Sequence, residues 1–404
     1  MEALKFGKGV WATKTGSSMA YSDTNDRYKP LPFNVERDSI ATRVNKEGLI
    51  EVVGHDKLRI DYTDTDKGVA LLENTSTNLQ TYSSDLASVY VPTEVTQTSN
   101  YGISPDGTQT STRVVLDNLS TSRSVETLTG VLVSGTTYTF SCYYKGIKGE
   151  ITYMYFLSST GGTNVSKQIL FTGEWQRESI TFTAGSASNY TYIIDVRQGS
   201  STATDFQVWG AQVEANSVAS SYIPTSGSAV QRAADVANNA GNSEVFNDSE
   251  GVLFADIAAL ADDGTFRVIS INGTPTNVNE DRIQIYFRDT ANIINFGMES
   301  GNSSQFFLQF PLDVKLNNKL ALKYSASSCS FWINGFEVGE ELNKVMPNDL
   351  SRLDFTIQNG GDNFYGKTKE IGYYDAVLTD SELEYLTSYR SLSELVKELN
   401  LNTL

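Results

Sequence analysis

Thr136-Thr137-Tyr138-Thr139-Phe140-Ser141-Cys142-Tyr143-Tyr144 follows the turn pair Ser134-Gly135 and is dense in β-branched and aromatic residues, the composition of a half-buried strand. It is one of a series. Segments 112–116, 151–157, 176–182, 190–196 and 206–213 have the same character, with Gly, Ser and Asn between them. Short strands at regular spacing joined by polar turns predict an antiparallel sandwich of jelly-roll type over 76–228.

A second series lies downstream, at 251–258, 266–271, 282–288, 292–298, 305–310, 319–325, 330–333 and 353–357. Within it Trp332-Ile333-Asn334-Gly335-Phe336 is a strand running into an Asn-Gly turn, the strongest local hairpin signal in the chain. A second sandwich is expected over 244–380. Between the two series, 229–243 is rich in Ala, Asn and Gly with few bulky groups to bury, and reads as a linker. Upstream, 1–40 has weak periodicity and the breakers Pro30 and Pro32, and reads as a segment that wraps on a partner rather than making its own core. From Thr42 short strands are expected at 49–53 and, with period-two alternation, at 58–62, punctuated by Gly48, Gly54 and Gly68, so that 1–75 as a whole reads as an extended anchoring segment with short strands. At the other end Thr379 precedes Asp380-Ser381-Glu382 like an N-cap. Leu383, Leu386, Leu392, Leu395, Val396 and Leu399 then recur at near-helical spacing, predicting short helices over 381–404. The fold class expected is therefore all-β, two antiparallel β-sandwiches in tandem.

Composition narrows the function. The net charge is −17 over 404 residues, and phosphate recognition needs clustered Lys and Arg, so a nucleic-acid partner is not expected. No apolar run is long enough to span a membrane, and 1–10 lacks the apolar core of a signal peptide, so cytoplasmic synthesis without membrane insertion is expected. Cys142 and Cys329 fall in different expected domains and read as small buried side chains, neither disulfide nor thiolate site.

Separated motifs resemble, in order, a segment that recurs in bacteriophage tail and minor structural proteins. They are Arg59-Ile60-Asp61-Tyr62, Leu71-Leu72-Glu73-Asn74-Thr75-Ser76-Thr77-Asn78-Leu79, Ser104-Pro105-Asp106-Gly107-Thr108, Ser134-Gly135-Thr136-Thr137-Tyr138-Thr139-Phe140-Ser141, Trp175-Gln176-Arg177, Trp209-Gly210-Ala211-Gln212-Val213-Glu214 and Ser221-Tyr222-Ile223-Pro224-Thr225. The resemblance implies a jelly-roll like that of carbohydrate-binding modules, carried by virion proteins of the tail-fibre, head-fibre or decoration kind. The second series, through Phe331-Trp332-Ile333-Asn334-Gly335 and Glu370-Ile371-Gly372-Tyr373-Tyr374-Asp375, looks like a concanavalin A or laminin-G sandwich.

Catalysis finds little support. His55 is the only histidine, and no nucleophile elbow accompanies it. Glycoside cleavage needs two opposed carboxylates, and the Glu-x-Asp-x-x-Glu strand of laminarinase-like sandwiches is missing. Aromatic rings can stack on sugar faces at small entropic cost, which nominates Tyr90, Tyr101, Tyr153, Tyr155, Trp175 and Tyr190, although alternate aromatics in a strand equally fill a core. Trp209 and Trp332 read as core. Asp61, Asp64 and Asp66 before Gly68 supply hard oxygen ligands that would suit calcium, against the plainer reading of a solvated turn; no other cofactor is expected. The expectation is a non-enzymatic virion component, anchored to capsid or tail proteins through its N-terminus, oligomeric, and adhesive to host glycans. The alternatives are a purely structural decoration and a polysaccharide depolymerase.

Overall fold

The computed structural model describes residues 2–7, 11–14, 17–22, 27–30, 33–63, 67–116, 123–130, 132–195, 201–273, 281–357, 360–391, 394 and 396. Chain contacts separate two compact units. One comprises Asp38–Gly54 and Thr75–Ala233, and the other Met1–Arg37, His55–Asn74 and Ala234–Leu404.

The first unit is a jelly-roll of two five-stranded antiparallel sheets. One runs Thr96–Thr98, Thr112–Val115, Asp205–Glu214, Thr137–Gly146, Gln176–Thr183; the other runs Val91–Thr93, Ser124–Gly130, Asn189–Asp195, Ile151–Ser158, Val165–Leu170. Alternation explains the packing: along Thr137–Gly146, Tyr138, Phe140, Cys142 and Tyr144 enter the core while Tyr143 lies on the opposite face. Burial pushes the Cys142 thiol up to about 12.

The quoted motifs build this scaffold. Glu214 is fully buried, accepting from Ser76 Oγ at 2.6 Å, Gln212 Nε2 at 2.8 Å, Asn216 Nδ2 at 3.0 Å, and both the backbone N and Oγ of Ser220 at 2.7 and 2.6 Å. Asn78 donates to the carbonyls of Ala211 and Ile223 while its Oδ1 accepts from the backbone of Gln80 and Val213. A buried carboxylate persists only with such full satisfaction, so these residues lock the last strand to the entry of the unit. Asp106 likewise closes the Ser104–Thr108 turn, accepting from Ser104 Oγ and Thr108 N.

The second unit is a larger sandwich. Its eight-stranded sheet runs Phe336–Leu342, Ser328–Ile333, Asn318–Ser325, Glu250–Ala259, Gly366–Tyr374, Val69–Leu72, Arg59–Asp61, with Glu2–Phe6 also paired to Gly366–Tyr374. The facing five-stranded sheet runs Ser303–Pro311, Ile293–Ser300, Arg282–Phe287, Arg267–Gly273, Leu350–Asp354. The Asn-Gly hairpin forms as expected, with Ile333 opposite Phe336 and positive φ at Asn334 and Gly335. Thr379 and Glu382 make a reciprocal capping box for the helix Asp380–Thr387. Leu383 of that helix packs with Trp332, Val252, Phe254 and Ala321, so Trp332 is buried under the helix rather than between the sheets.

The all-β class and the paired sandwiches hold, but the sequential partition of the chain does not. Within the expected N-terminal segment Trp11–Lys14, Ser17–Ser22 and Arg27–Pro30 form a small three-stranded sheet of their own, while other parts are taken into the second sandwich: Arg59–Asp61 and Val69–Leu72 extend its sheet, and Leu4 and Phe6 are buried in its core. Each such side chain contributes about 1.5–3 kcal/mol of apolar burial, a gain the local sequence could not advertise. The expected linker 229–243 holds the strands Val230–Arg232 and Val236–Asn238, and Ala237 and Ala240 are buried in the core of the second sandwich. Asp235 in the same stretch is buried and bridges Arg37 (2.7 Å) and Arg59, and Arg59 also reaches Glu73 at 2.6 Å. Burial opposes the Arg59 charge, but Glu73 and Asp235 outweigh it and hold its pKa above the ordinary value. The first helix ends at Thr387 with Ser388 extended, Glu394 and Val396 are again helical, and the rest of the second leucine run lies outside the described residues.

Candidate functional site

The strand Ile151–Ser158 sends Met154 and Phe156 into the jelly-roll core, which obliges Tyr153, Tyr155 and Leu157 onto the outer face of their sheet. Residues opposite one another in an antiparallel pair share a face, so the register extends this surface across neighbouring strands. Tyr155 stands opposite Tyr192 on one side and Ser166 on the other; Tyr192 in turn stands opposite Glu126. Leu157 is opposite Tyr190, and Tyr153 is opposite Gln168.

The result is a surface of four tyrosines with polar groups around it. The Tyr155 and Tyr192 rings lie 5.5 Å apart at 44° and are nearly covered, 8% and 4% exposed, so they form its floor. Tyr153, Tyr190, Leu157 and Glu126 are half-buried, and Ser166 and Gln168 are exposed. The Tyr153 hydroxyl donates to Gln168 Oε1 at 3.1 Å, orienting an exposed carboxamide beside the ring. Flat rings flanked by an amide, a hydroxyl and a carboxylate offer apolar contact together with directional hydrogen bonds, the pairing a pyranose ring requires.

Three of the six nominated aromatics, Tyr153, Tyr155 and Tyr190, therefore come together. Tyr90 does not: it is 1% exposed, its ring is in the core, and burial raises its hydroxyl pKa, opposed by the bond to Thr191 Oγ1 at 3.3 Å. It offers no face to a sugar. Tyr101 and Trp175 belong with the opposite sheet. Tyr101 is exposed with the Arg113 guanidinium 4.8 Å over its ring. Trp175 donates from Nε1 to the Ile103 carbonyl at 3.0 Å and packs against the Ile50, Trp209 and Tyr222 cluster. Tyr192 and Gln168 went unnominated. Tyr192 was within reach, since it lies two residues from Tyr190 on the same strand face; Gln168 joins only through cross-strand register.

The acidic turn gives no metal centre that can be described. Asp61 is buried and accepts from the Thr63 backbone at 3.0 Å in a local turn, and Asp64 and Asp66 lie outside the described residues. Among the described residues no group of three or more His, Cys, Asp or Glu gathers to hold a metal ion. His55 is exposed in the turn between Ile50–Val53 and Arg59–Asp61.

No family model and no curated protein matches the chain. Similar solved structures are carbohydrate-binding modules and glycosidase domains. The CBM40 of the Ruminococcus gnavus IT-sialidase is 16% identical, with 38% of this chain and 94% of that one covered and a TM-score of 0.32. Domain 4 of the arabinanase AbnA from Geobacillus stearothermophilus, in complex with arabinotriose, is 14% identical over 38% of this chain and 73% of that one, at a TM-score of 0.31. The leech intramolecular trans-sialidase is 17% identical at a TM-score of 0.31, and the match spans only 26% of its length.

Proposed function

We propose that this chain is a non-enzymatic adhesive component of a bacteriophage particle, and that the tyrosine face of its jelly-roll binds host-surface glycans. The observation that carries the glycan reading is the convergence of Tyr153, Tyr155, Tyr190 and Tyr192 on one outer sheet face, beside Gln168 and Glu126. The virion reading rests on the ordered motifs from Arg59 to Thr225 that resemble phage structural proteins. Because Glu2–Phe6 is taken up in the second sandwich, attachment to capsid or tail proteins falls to Trp11–Pro30, whose three strands, among the described residues, form a small sheet of their own. Individual sugar contacts of this kind are weak, and multivalent display on a particle supplies avidity.

One observation favours a second reading, a purely structural decoration: Tyr155 and Tyr192 are too covered to serve as stacking platforms themselves. A glycan array probed with the full chain separates the two. Binding that the Tyr153→Ala and Tyr190→Ala substitutions remove supports adhesion, and an array without signal supports decoration. Release of reducing ends from a bound polysaccharide would overturn the non-enzymatic assignment and favour a depolymerase.

A further inference from the structure

Sheet edges expose unpaired backbone groups, and proteins blunt them with charge, proline or brevity. Among the described residues the longer sheet edges carry charged side chains, with one exception. Phe336–Leu342 carries Glu337, Glu340 and Glu341; Val165–Leu170 carries Lys167; Gln176–Thr183 carries Arg177 and Glu178; Leu350–Asp354 carries Arg352 and Asp354. Among the described residues Ser303–Pro311 pairs on one side, with Ile293–Ser300, and reads Ser-Ser-Gln-Phe-Phe-Leu-Gln-Phe-Pro, its one proline at the very end. Among the described residues it is the one sheet-edge strand longer than three residues that carries no charged side chain. A bulge sets Gln305 out of register, with Phe306 opposite Met298 and Ser304 opposite Glu299, and beyond it the strand is regular from Phe306 to Pro311.

That regular part is self-complementary. Phe306, Leu308 and Phe310 pack toward the sandwich core, whereas Phe307, 46% exposed, and Gln309 face outward. Reversed, the inward row reads the same, Phe-Leu-Phe. We propose that this edge pairs with the same edge of a second copy of the chain, antiparallel about a two-fold axis at Leu308. Leu308 then meets its own counterpart, Phe306 meets Phe310, and Phe307 meets Gln309. Two five-stranded sheets become one continuous sheet, joined by backbone hydrogen bonds and closed by two-fold symmetry. The Phe307 ring is steadied for this contact by the Arg288 guanidinium at 5.1 Å and by Tyr286 at 6.0 Å. With a net charge of −17 on each copy, long-range repulsion opposes the encounter, so added salt strengthens this association. The inference is independent of the tyrosine face.

Sedimentation equilibrium of the full chain tests it. A dimer that tightens with salt is expected, with Gln309→Lys and Phe307→Lys each raising the dissociation constant at least tenfold and Leu342→Lys, on the glutamate-rich edge, leaving it unchanged. Gln309 is exposed, so its substitution reads the interface even where Phe307→Lys disturbs folding. A wild-type monomer, a dimer indifferent to Gln309→Lys, or equal weakening by Leu342→Lys would overturn the proposal.

Discussion

The two outer faces of the jelly-roll are both aromatic, yet they have opposite fates. On one, Trp209 is covered by Tyr222 at 4.4 Å, by Tyr143 at 5.6 Å and by Ile50 of the hairpin formed by Ala41–Val44 and Ile50–Val53. Its indole donates to Thr110 Oγ1 at 3.1 Å, so even the polar tip is satisfied internally. On the other, Tyr153 and Tyr190 stay half-buried beside the exposed Gln168 and Ser166. Aromatic content alone does not make a binding surface. What separates the faces is whether the chain supplies its own cover, since a ring already packed against protein has no apolar area left to gain from a ligand.

Substitutions on the two faces should therefore separate stability from binding. Trp209→Ala removes a fully buried ring and should cost about 3–5 kcal/mol in denaturant unfolding. Glu214→Ala removes the acceptor shared by Ser76, Gln212, Asn216 and Ser220 and strands the buried Ser76 hydroxyl and Ser220 N–H, whose bonds go to Glu214. It should cost about 3 kcal/mol by the same measurement. If either variant unfolds like the parent protein, the cover over Trp209 is not structural and the contrast fails.

On the tyrosine face the balance should invert. Tyr153→Ala and Tyr190→Ala should each shift unfolding by no more than about 1 kcal/mol while weakening glycan affinity roughly tenfold, as read by calorimetric titration. Loss of stability without loss of affinity would return these rings to the core-filling role. The smallest effect concerns the cysteines. Cys142 and Cys329 are buried and their thiols are pushed up by desolvation, so a thiol reagent at neutral pH should label neither until denaturant is added.

The sequence displayed whatever is local. Strand alternation, the Asn334-Gly335 turn and the Thr379 cap were all legible because their causes lie within a few residues. Tyr153, Tyr155 and Tyr190 were legible as aromatics, but their shared face was not, because it depends on the register of Ile151–Ser158 against Asn189–Asp195. Tyr90 misled for the same reason: nothing near it in sequence indicates that it points into the core. The long-range joins were hidden altogether. Glu2–Phe6 pairs with Gly366–Tyr374, and Asp235 meets Arg37 and Arg59 across the chain, so a weakly periodic N-terminus and a small-residue stretch passed for an arm and a linker.

The most direct test of the adhesive reading is a crystal structure of the protein soaked with the best ligand from the glycan array. The account predicts a sugar ring lying against Tyr153 and Tyr190 and within hydrogen-bonding reach of Gln168. Density for the sugar beside Tyr101 and Trp175 instead, or on the second sandwich alone, would contradict it.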